Sequence, residues 1–436
     1  MRKVLFIAYA FPPWGVVGAL RPFKFTKYLP QFGWNPIVLS RKIGKYAEEI
    51  DGSLLNQIEP SVKVFRVAGI EPRILWEGLF RKNKNGSSLS DKSLNPGNNF
   101  KRSVKRFLAT WLEIPDPQIG WFPQALLKAL ELMIKHKIEI IYSTSNPFTN
   151  HLVAMSLKRI TKKPWVADFR DPWTQYPLNE YHSSIRKNID KWFEHKFLKV
   201  ADRVTVTSGL TAKGFTSLYP DIDPGKISVI TNGIDPSDFE DISSGRKSEK
   251  FTITYAGKFF SVSSANKFLE ALSHFLKVHP DARSKVLMRF IGLIDDHSLN
   301  LIRSFGLMDV IERIRYVSHK KSLQFQADSD VLLLTRSAQP GNEVIIPAKL
   351  FEYLAIGKPI LALVPPEGEA AGLVRKTNSG VVVAPDDKDA IIRAIHEMYS
   401  KYERGGFFLE RETEALKPYE RRHLTGKLAE LFDSLV

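Results

Sequence analysis

The chain begins with the pattern of a strand, a turn and a helix in residues 4–21, VLFIAYAFPPWGVVGALR. Residues 4–8 are a short apolar run, which is typical of a strand buried on both faces of a parallel sheet. Proline and glycine follow at 12–15, where they interrupt the strand before the helical pattern starts. A strand that leads directly into a helix predicts a parallel sheet whose faces are covered by helices.

The same alternation continues along the chain in two series. The first series has apolar runs at 4–8, 36–39, 138–142, 165–167, 204–207 and 227–230. After a proline- and serine-rich segment at 235–250, the second has runs at 252–256, 287–291, 314–316, 331–335, 359–364 and 380–383. We therefore predict an α/β fold of two doubly wound, Rossmann-like domains, residues 1–234 and 235–417, which face each other across a cleft. A terminal helix is predicted in 418–436.

Composition excludes several classes of protein. Hydrophobic residues make up 43% of the 436 residues, which is too many for a disordered chain. The sequence contains no cysteine, which excludes disulfides and thiolate metal sites, and no run approaches the ~18 apolar residues of a membrane span. Residues 4–11 lack a small-residue cleavage site, so we interpret them as a strand rather than a signal peptide and expect a cytoplasmic protein.

Positive charge is concentrated in the first half of the chain. Of the net charge of +16, residues 1–225 carry +15, from 34 basic and 19 acidic side chains. The densest stretch is 81–106, and apolar residues at helical spacing between 100 and 111 add a hydrophobic stripe. We expect 81–111 to bind an anionic membrane surface, with an ordinary surface helix as the alternative. No RNA-binding signature or helix-turn-helix spacing accompanies the charge, so we predict no nucleic-acid partner.

Two glycines, Gly15 and Gly18, follow the first strand. Glycine lets backbone N–H groups approach a phosphate or a sugar closely, and the positive end of the following helix lies at the same place. The spacing matches neither the dinucleotide-binding fingerprint nor a P-loop. The loop is therefore a candidate ligand contact, and a tight turn is the alternative.

Charged residues cluster directly after the run at 165–167. Asp168, Arg170 and Asp171 lie within four positions, and unpaired charges next to a buried strand carry a desolvation cost. We interpret all three as candidate catalytic residues. A structural ion pair between aspartate and arginine is the alternative.

Residues 347–359, PAKLFEYLAIGKP, predict a helix that ends at a glycine. Its first turn contains Lys349 and Leu350, and the N–H groups and positive dipole of such a turn favour an anion. Glu352 lies one turn inside the helix, where its carboxylate can accept hydrogen bonds from vicinal hydroxyl groups. The segment is therefore a candidate binding site for a ligand that carries an anionic group and vicinal hydroxyl groups.

The sequence offers a lysine rather than a metal ion to balance phosphate charge. Lys258 follows Gly257 at the end of a predicted strand. Two Asp-x-Asp triplets, at 221–223 and 328–330, fall in a loop and before a strand, where solvated caps are expected. The histidines do not cluster at metal-ligand spacing. We predict no metal site.

The order of these motifs is itself informative. In sequence they are Phe11-Pro12-Pro13 with Gly15 and Gly18, Asp168 to Trp173, Asn232 to Asp235, Tyr255 to Gly257, and Lys349 to Ala355 with Gly357-Lys358-Pro359. This succession resembles the GT-B fold glycosyltransferases of family 4, bacterial retaining enzymes that use nucleotide-sugar donors. The resemblance covers nearly the whole chain except about 70–115. It implies that the terminal helix packs back onto the first domain.

The resemblance also implies roles for single residues. Glu352 matches the second glutamate of the family's E-x7-E motif, which binds the donor ribose. The position of the first glutamate is Val344, and Glu343 is one place away. Lys258 matches a basic residue directed at the donor diphosphate, Arg170 stands where many relatives have histidine, and the two-glycine loop matches the loop beside the donor phosphates and the acceptor.

We therefore expect a metal-independent, retaining hexosyltransferase that needs no cofactor beyond a UDP- or GDP-linked sugar as co-substrate. Lys258, the helix N-terminus at Lys349 and the glycine amides would stabilise the leaving diphosphate. Either Asp168 or Asp171 would orient the acceptor or Arg170. The implied acceptor is a glycan or a polyisoprenyl-diphosphate-linked glycan, in the synthesis of surface polysaccharide such as lipopolysaccharide at the inner face of the membrane. The alternatives are a GT-B sugar-nucleotide epimerase and a catalytically silent sugar-nucleotide-binding subunit.

Overall fold

The protein forms two parallel α/β domains. The structure, a computed structural model, describes residues 1–44, 50–69, 113–176, 181, 183–243, 248–259, 265–315, 317–406 and 412–436. Each domain is built on one parallel sheet with helices packed against it. The predicted class, α/β with two doubly wound, Rossmann-like domains, is confirmed.

The first sheet has the strand order β3-β2-β1-β4-β5-β6-β7. Its strands are β1 (Arg2–Ile7), β2 (Trp34–Arg41), β3 (Lys63–Val67), β4 (Ile140–Ser145), β5 (Trp165–Phe169), β6 (Arg203–Val206) and β7 (Ile227–Val229). The helices are α1 (Val17–Tyr28), α2 (Phe122–His136), α3 (Thr149–Thr161), α4 (Ser184–Val200) and α5 (Gly209–Leu218). The strand order reverses between β1 and β4, and such a reversal opens a ligand-binding crevice at the carboxyl ends of the strands.

The second sheet repeats this plan with the order β10-β9-β8-β11-β12-β13. Its strands are β8 (Phe251–Ala256), β9 (Val286–Ile291), β10 (Ile311–Ile314), β11 (Val331–Thr335), β12 (Ile360–Leu363) and β13 (Gly380–Val383). The helices are α6 (Ala265–Val278), α7 (Asp296–Ser304), α8 (His319–Ala327), α9 (Ala348–Ile356), α10 (Glu369–Lys376), α11 (Lys388–Glu403) and the terminal α12 (Arg421–Asp433). Here the reversal lies between β8 and β11.

The apolar run of β1 is continuous because both faces of the strand are buried. Leu5 and Ile7 pack into one core cluster of the first domain, and Val4 and Phe6 pack into the other. Successive side chains of a strand point to opposite faces of the sheet. The strand therefore belongs in the middle of a sheet covered on both sides.

The sequence patterns missed β3 and displaced β10. β3, Lys63–Val67, is an edge strand in which exposed and half-buried side chains are mixed, so it shows no continuous apolar run. β10, Ile311–Ile314, is also at an edge and begins three residues before the predicted run at 314–316. Edge strands are partly solvated and therefore carry a weaker hydrophobic signal.

The terminal helix α12 packs against the first domain, although it follows the second in sequence. Leu428 and Phe432 lie in the same core cluster as Phe23 of α1. The returning chain pairs with the outgoing one, because the Arg421 N–H donates to the carbonyl of Ile234 at 2.7 Å. Two chain segments thus cross between the domains side by side.

Candidate active site

A cavity lies between the two domains beside the loops that follow their strands. It is lined, among others, by Arg21, Lys24 and Arg170 of the first domain, His319 and Glu352 of the second, and Arg421 of α12. Its volume is about 50 Å³, which is room for roughly three to five water molecules.

A buried ion pair between Arg21 and Asp168 joins α1 to the end of β5. Arg21 Nη2 lies 2.8 Å from Asp168 Oδ1, and Arg21 Nε lies 3.0 Å from Oδ2. The same guanidinium donates to the carbonyls of Ile230 and Thr231, each at 2.7 Å. One arginine therefore ties α1 to two strand ends.

The surroundings of Asp168 indicate a positioning role. The hydroxyls of Thr144 and Thr205 each donate to its carboxylate at 2.7 Å, and the side chain is 0% exposed. Burial alone would raise the pKa of Asp168, but Arg21 and the hydrogen bonds outweigh it and lower the pKa to about 2. We predicted that Asp168 orients the acceptor or Arg170. Its observed partner is instead Arg21, and its contacts lie inside the protein.

Arg170 lies over the first turn of α1, at Gly18. A Cβ atom at Gly18 would stand 2.4 Å from Arg170 Nη1, so only glycine leaves room for this guanidinium. Arg170 Nε is 3.5 Å from Asp171 Oδ2, a long contact. Gly15 lies two residues before α1 in the same loop. The structure thus brings the two-glycine loop, Arg170 and Asp171 to one corner of the cleft.

Glu194, which the sequence patterns did not single out, orders the chain after Asp171. One of its carboxylate oxygens accepts from the N–H groups of Trp173 and Thr174, each at 3.0 Å, and the other accepts from the Thr174 hydroxyl at 2.6 Å. Burial raises the pKa of Glu194, while these hydrogen bonds oppose the rise. The carboxylate lies on the long helix α4, and no local signal in the sequence links it to the turn it caps.

On the opposite wall, Lys349 and Gly257 meet at the beginning of α9. Lys349 Nζ lies 3.8 Å from the centroid of the Tyr255 ring, a cation–π contact. A Cβ at Gly257, whose φ is +116°, would stand 3.0 Å from the same Nζ. The Leu350 side chain is fully buried, and its N–H donates to the carbonyl of Pro347 at 3.0 Å. Leu350 therefore anchors the helix, and Lys349 supplies the charge.

Lys258 borders the same turn from the other side. Its side chain is exposed, and its backbone carbonyl accepts a hydrogen bond from the Tyr255 hydroxyl at 3.0 Å. Tyr255 therefore contacts both the turn that carries Lys258 and the ammonium group of Lys349. Both predicted lysines therefore lie near the end of β8.

Glu352 is paired with His319, a residue that the sequence patterns missed. His319 Nε2 donates to Glu352 Oε1 over 3.0 Å, and both side chains line the cavity. Burial would lower the pKa of His319, but the contact with Glu352 outweighs burial, so the pKa of His319 is raised. Burial would raise the pKa of Glu352, but the contact with His319 outweighs burial, so the pKa of Glu352 is lowered. The sequence signal that could have identified His319 is its position shortly after the edge strand β10.

The loop that carries Val344 is attached to the first domain. The Val344 carbonyl accepts from the Ser208 hydroxyl at 2.6 Å. Glu369 Oε1 accepts from the Leu210 N–H at 2.6 Å, which places its carboxylate at the N-terminus of α5. The Glu343 carboxylate accepts from the N–H of Gly341 at 2.7 Å, within its own loop. These contacts connect the two walls of the cleft.

A second cluster of charges joins α1 to the start of the second domain. Lys24 Nζ lies 2.7 Å from Asp235 Oδ2 and 2.6 Å from Asp238 Oδ1. Lys27 and the Tyr28 hydroxyl also donate to Asp235, and together with Lys24 they lower its pKa, against the opposing effect of burial. All these residues lie beside the crossing segments, where a hinge between the domains would be located.

The predicted membrane-binding segment, 81–111, lies entirely outside the described residues. Within the described ranges, no helix combines the length and apolar character needed to cross a membrane. The membrane contact therefore stays a prediction.

Two family models match the chain, one for each domain. Residues 94–238 match the model described as Glycosyltransferase Family 4, and residues 237–406 match the model described as Glycosyl transferases group 1. The two matches run without a gap from residue 94 to residue 406, which is more than two thirds of the chain. No curated protein sequence matches at a significant level.

Solved structures similar to this one share its fold at low sequence identity. Sucrose-phosphate synthase from Thermosynechococcus elongatus has a TM-score of 0.67 and 13% identity over 100% of this chain and 99% of that one. HepE from Anabaena in complex with UDP-glucose has a TM-score of 0.63 and 16% identity, with both chains covered completely. WaaG, a glycosyltransferase involved in lipopolysaccharide biosynthesis, has a TM-score of 0.56 and 13% identity over 99% of this chain and 95% of that one.

Proposed function

We propose, because this chain belongs to the GT-B glycosyltransferases of family 4, that it transfers a hexose from a UDP- or GDP-sugar to a glycan or lipid-linked glycan acceptor with retention of configuration. Use of a nucleotide-sugar donor follows from the family and agrees with the UDP-glucose complex of HepE. The single observation that carries the proposal is the placement of Glu352 in the interdomain cavity, one turn after Lys349 at the start of α9.

Each part of the donor has a candidate partner. The oxygen of Glu352 not bound by His319 can accept hydrogen bonds from the ribose hydroxyls. Lys258, Lys349 and the first turn of α9 provide positive charge for the diphosphate. Gly15 and Gly18, at the start of α1, allow the first domain to approach the same phosphates when the domains close.

The reaction breaks the bond between the anomeric carbon and the diphosphate oxygen and forms a bond from that carbon to an acceptor hydroxyl oxygen. We propose attack from the face that the diphosphate leaves, with a donor phosphate oxygen taking the acceptor proton, which retains the configuration. The lysines and helix N-terminus stabilise the charge that develops on the diphosphate, and we propose that no metal ion is required. Arg170 and Asp171 would orient the sugar and the acceptor.

The acceptor side of the proposal rests on charge. The first half of the chain carries +15 of the net +16, which suits a phosphorylated, lipid-linked acceptor at an anionic membrane surface. We propose that 81–111 attaches the enzyme to the inner face of the membrane and that the product is a surface polysaccharide. Sedimentation with anionic liposomes tests this: deletion of 81–106 should abolish binding, and unchanged binding would refute it.

Ligand binding, measured as a change in melting temperature, tests the donor assignment. We expect one nucleotide among UDP, GDP and ADP to raise the melting temperature, since a ligand at 100 times its Kd stabilises the folded state by about 2.7 kcal/mol. The Glu352→Gln variant should lose most of this shift, and Glu397→Gln, at an exposed ion pair with Lys401, should retain it.

Product analysis separates the alternatives. Formation of a glycoside with inverted configuration would refute the stereochemical proposal. Conversion of the sugar nucleotide without any acceptor would indicate an epimerase. Binding of donor with no conversion in the presence of acceptor extracts would favour a silent subunit, an alternative that Val344 in place of the family's first glutamate keeps open.

A further inference from the structure

Arg421, the first residue of α12, is a buried cation with an unsatisfied donor. The residue is only 6% exposed, and it lines the interdomain cavity. Its Nη1 is buried and has no hydrogen-bond partner within the described part of the chain. Buried polar atoms are nearly always hydrogen-bonded, so an exception of this kind requires an explanation.

Arg170, in the loop after β5, shows the same feature. Its Nη1 is also buried without a partner in the described ranges, and it too lines the cavity. Its Nε contacts Asp171 Oδ2 at 3.5 Å, a long hydrogen bond that leaves Nη1 unpaired. Two guanidinium groups, from α12 and from the loop after β5, therefore present unsatisfied donors around one small cavity.

The carboxylates near Arg421 are already paired with other cations. Asp168, Asp235 and Asp238 all favour its charged form electrostatically. Asp168, however, is bound by the guanidinium of the buried pair on α1, and Lys24 lies 2.7 Å and 2.6 Å from the other two. The protein therefore provides cations in the cavity wall beyond those that its own carboxylates bind.

This imbalance costs free energy in the absence of an anion. Burial, followed by repulsion from Arg21, lowers the pKa of Arg421 to about 10, which still leaves it charged at neutral pH. A buried charge without a partner is strongly unfavourable, and a bound anion would remove that penalty. Arginine matches the geometry of phosphate oxygens with two parallel N–H groups.

We propose that Arg421 and Arg170 form an anion subsite in the cleft that binds one phosphate group. Both guanidinium groups line the same interdomain cavity. The phosphate belongs either to the donor diphosphate or to a phosphorylated acceptor, an assignment that rests on the proposed function. Binding of the anion itself does not depend on that function.

The first test uses the full chain with inorganic phosphate and pyrophosphate as probes. We expect both to raise the melting temperature of the wild type, and Arg421→Met to weaken their affinity by roughly 10- to 100-fold, the effect of a lost charged hydrogen bond. Arg422→Met is the matched control, because Arg422 is exposed on the same helix and binds Gln31. Arg170→Met should weaken binding as well, and Arg421→Lys should restore part of it.

The second test identifies the source of the phosphate. If the donor supplies it, Arg421→Met weakens UDP or GDP binding and leaves binding of the free nucleoside unchanged. If the acceptor supplies it, nucleoside-diphosphate affinity is unchanged, and inorganic phosphate still binds the wild type, but not the variant, in the presence of saturating nucleotide. Either result supports the subsite.

The proposal is overturned if phosphate and pyrophosphate leave the wild type unaffected, or if Arg421→Met and Arg170→Met bind them as tightly as Arg422→Met does. These outcomes are distinct from failure of the proposed function. Phosphate binding that is lost in Arg421→Met, in a protein that binds no nucleotide, would retain the subsite and refute the transferase assignment. If phosphate does not stabilise the protein and Arg421→Met leaves nucleotide binding unaffected, the subsite is refuted and the transferase assignment is retained.

Discussion

Replacement of Asp168 by asparagine should destabilise the first domain strongly. The substitution keeps the size of the side chain and can still accept hydrogen bonds from Thr144 and Thr205. It removes the negative charge opposite Arg21, whose guanidinium lies 2.8 Å away and is itself only 1% exposed. The variant therefore leaves an uncompensated cation in the core between α1 and β5.

Two arguments give the magnitude of this effect. Removing one partner of a buried ion pair typically costs about 3–5 kcal/mol. Independently, the pKa of Asp168 falls from 3.8 to about 2 in the folded protein, and a shift of that size corresponds to roughly 2 kcal/mol of stabilisation of the charged form. The first value is larger because it includes the cost of leaving the buried Arg21 without its partner. Both are sizeable against a typical total stability of about 5–15 kcal/mol.

Urea unfolding monitored by tryptophan fluorescence isolates the affected domain, because all 8 tryptophans precede residue 193. Thr205→Val is the matched control, since it removes one hydrogen bond to the same carboxylate, and we expect a loss near 1 kcal/mol. A loss below about 1 kcal/mol for Asp168→Asn would show that Arg21 does not depend on this charge.

The pH dependence gives a second readout of Asp168. A depressed pKa stabilises the folded state above the unfolded value, so this contribution is complete above about pH 5 and declines as the pH falls through 4 towards 2. Asp168→Asn should lack that part of the acid-induced loss. Equal acid sensitivity in wild type and variant would contradict the assignment.

Three further substitutions test other parts of the site. Gly18→Ala should displace Arg170, because Arg170 Nη1 would lie 2.4 Å from the new Cβ. We expect kcat to fall by about tenfold or more without unfolding of the protein. Gly44→Ala is the control for the kinetic assay, because Gly44 has open space around it. His319→Gln should flatten the pH dependence of stability. The raised pKa of His319 adds stability below about pH 6.5, and this stability is lost as the pH rises through the raised pKa. Melting curves between about pH 6 and 9 would detect the difference between variant and wild type. Lys349→Met should raise the Kd for the nucleoside diphosphate by roughly 10- to 100-fold and leave nucleoside affinity unchanged in calorimetry; equal losses for both ligands would indicate a structural role.

Much of the architecture was predictable because each element carries its own periodic pattern. The continuous apolar run of β1 and the glycine that ends α9 at Gly357 are local signals, and both elements lie where the sequence placed them. The edge strand β3 was missed because its apolar residues are only partly buried, are preceded by Lys63 and are interrupted by Arg66. Edge position is a property of the sheet and cannot be recognised within five residues of chain.

The candidate site was predictable only in part. Glu352, Lys349 and Arg170 were identified because they follow strands or begin helices, and parallel sheets place such positions at a common edge. Their partners were not identifiable, since His319 lies 33 residues from Glu352 in sequence and Arg21 lies 147 residues from Asp168. Charge pairing depends on which elements are neighbours in space, and local patterns do not contain that information.

The sequence therefore determined the class of fold, the number of domains and the strand ends at which the candidate site lies, because burial imposes a period on every helix and strand. Tertiary structure decided which charges are neutralised and which are left to a ligand. Asp168 became a buried structural partner because α1 brings Arg21 to it, whereas Arg421 reached the cleft because α12 returns across the domain boundary. The electrostatics of the cleft arise from these long-range contacts.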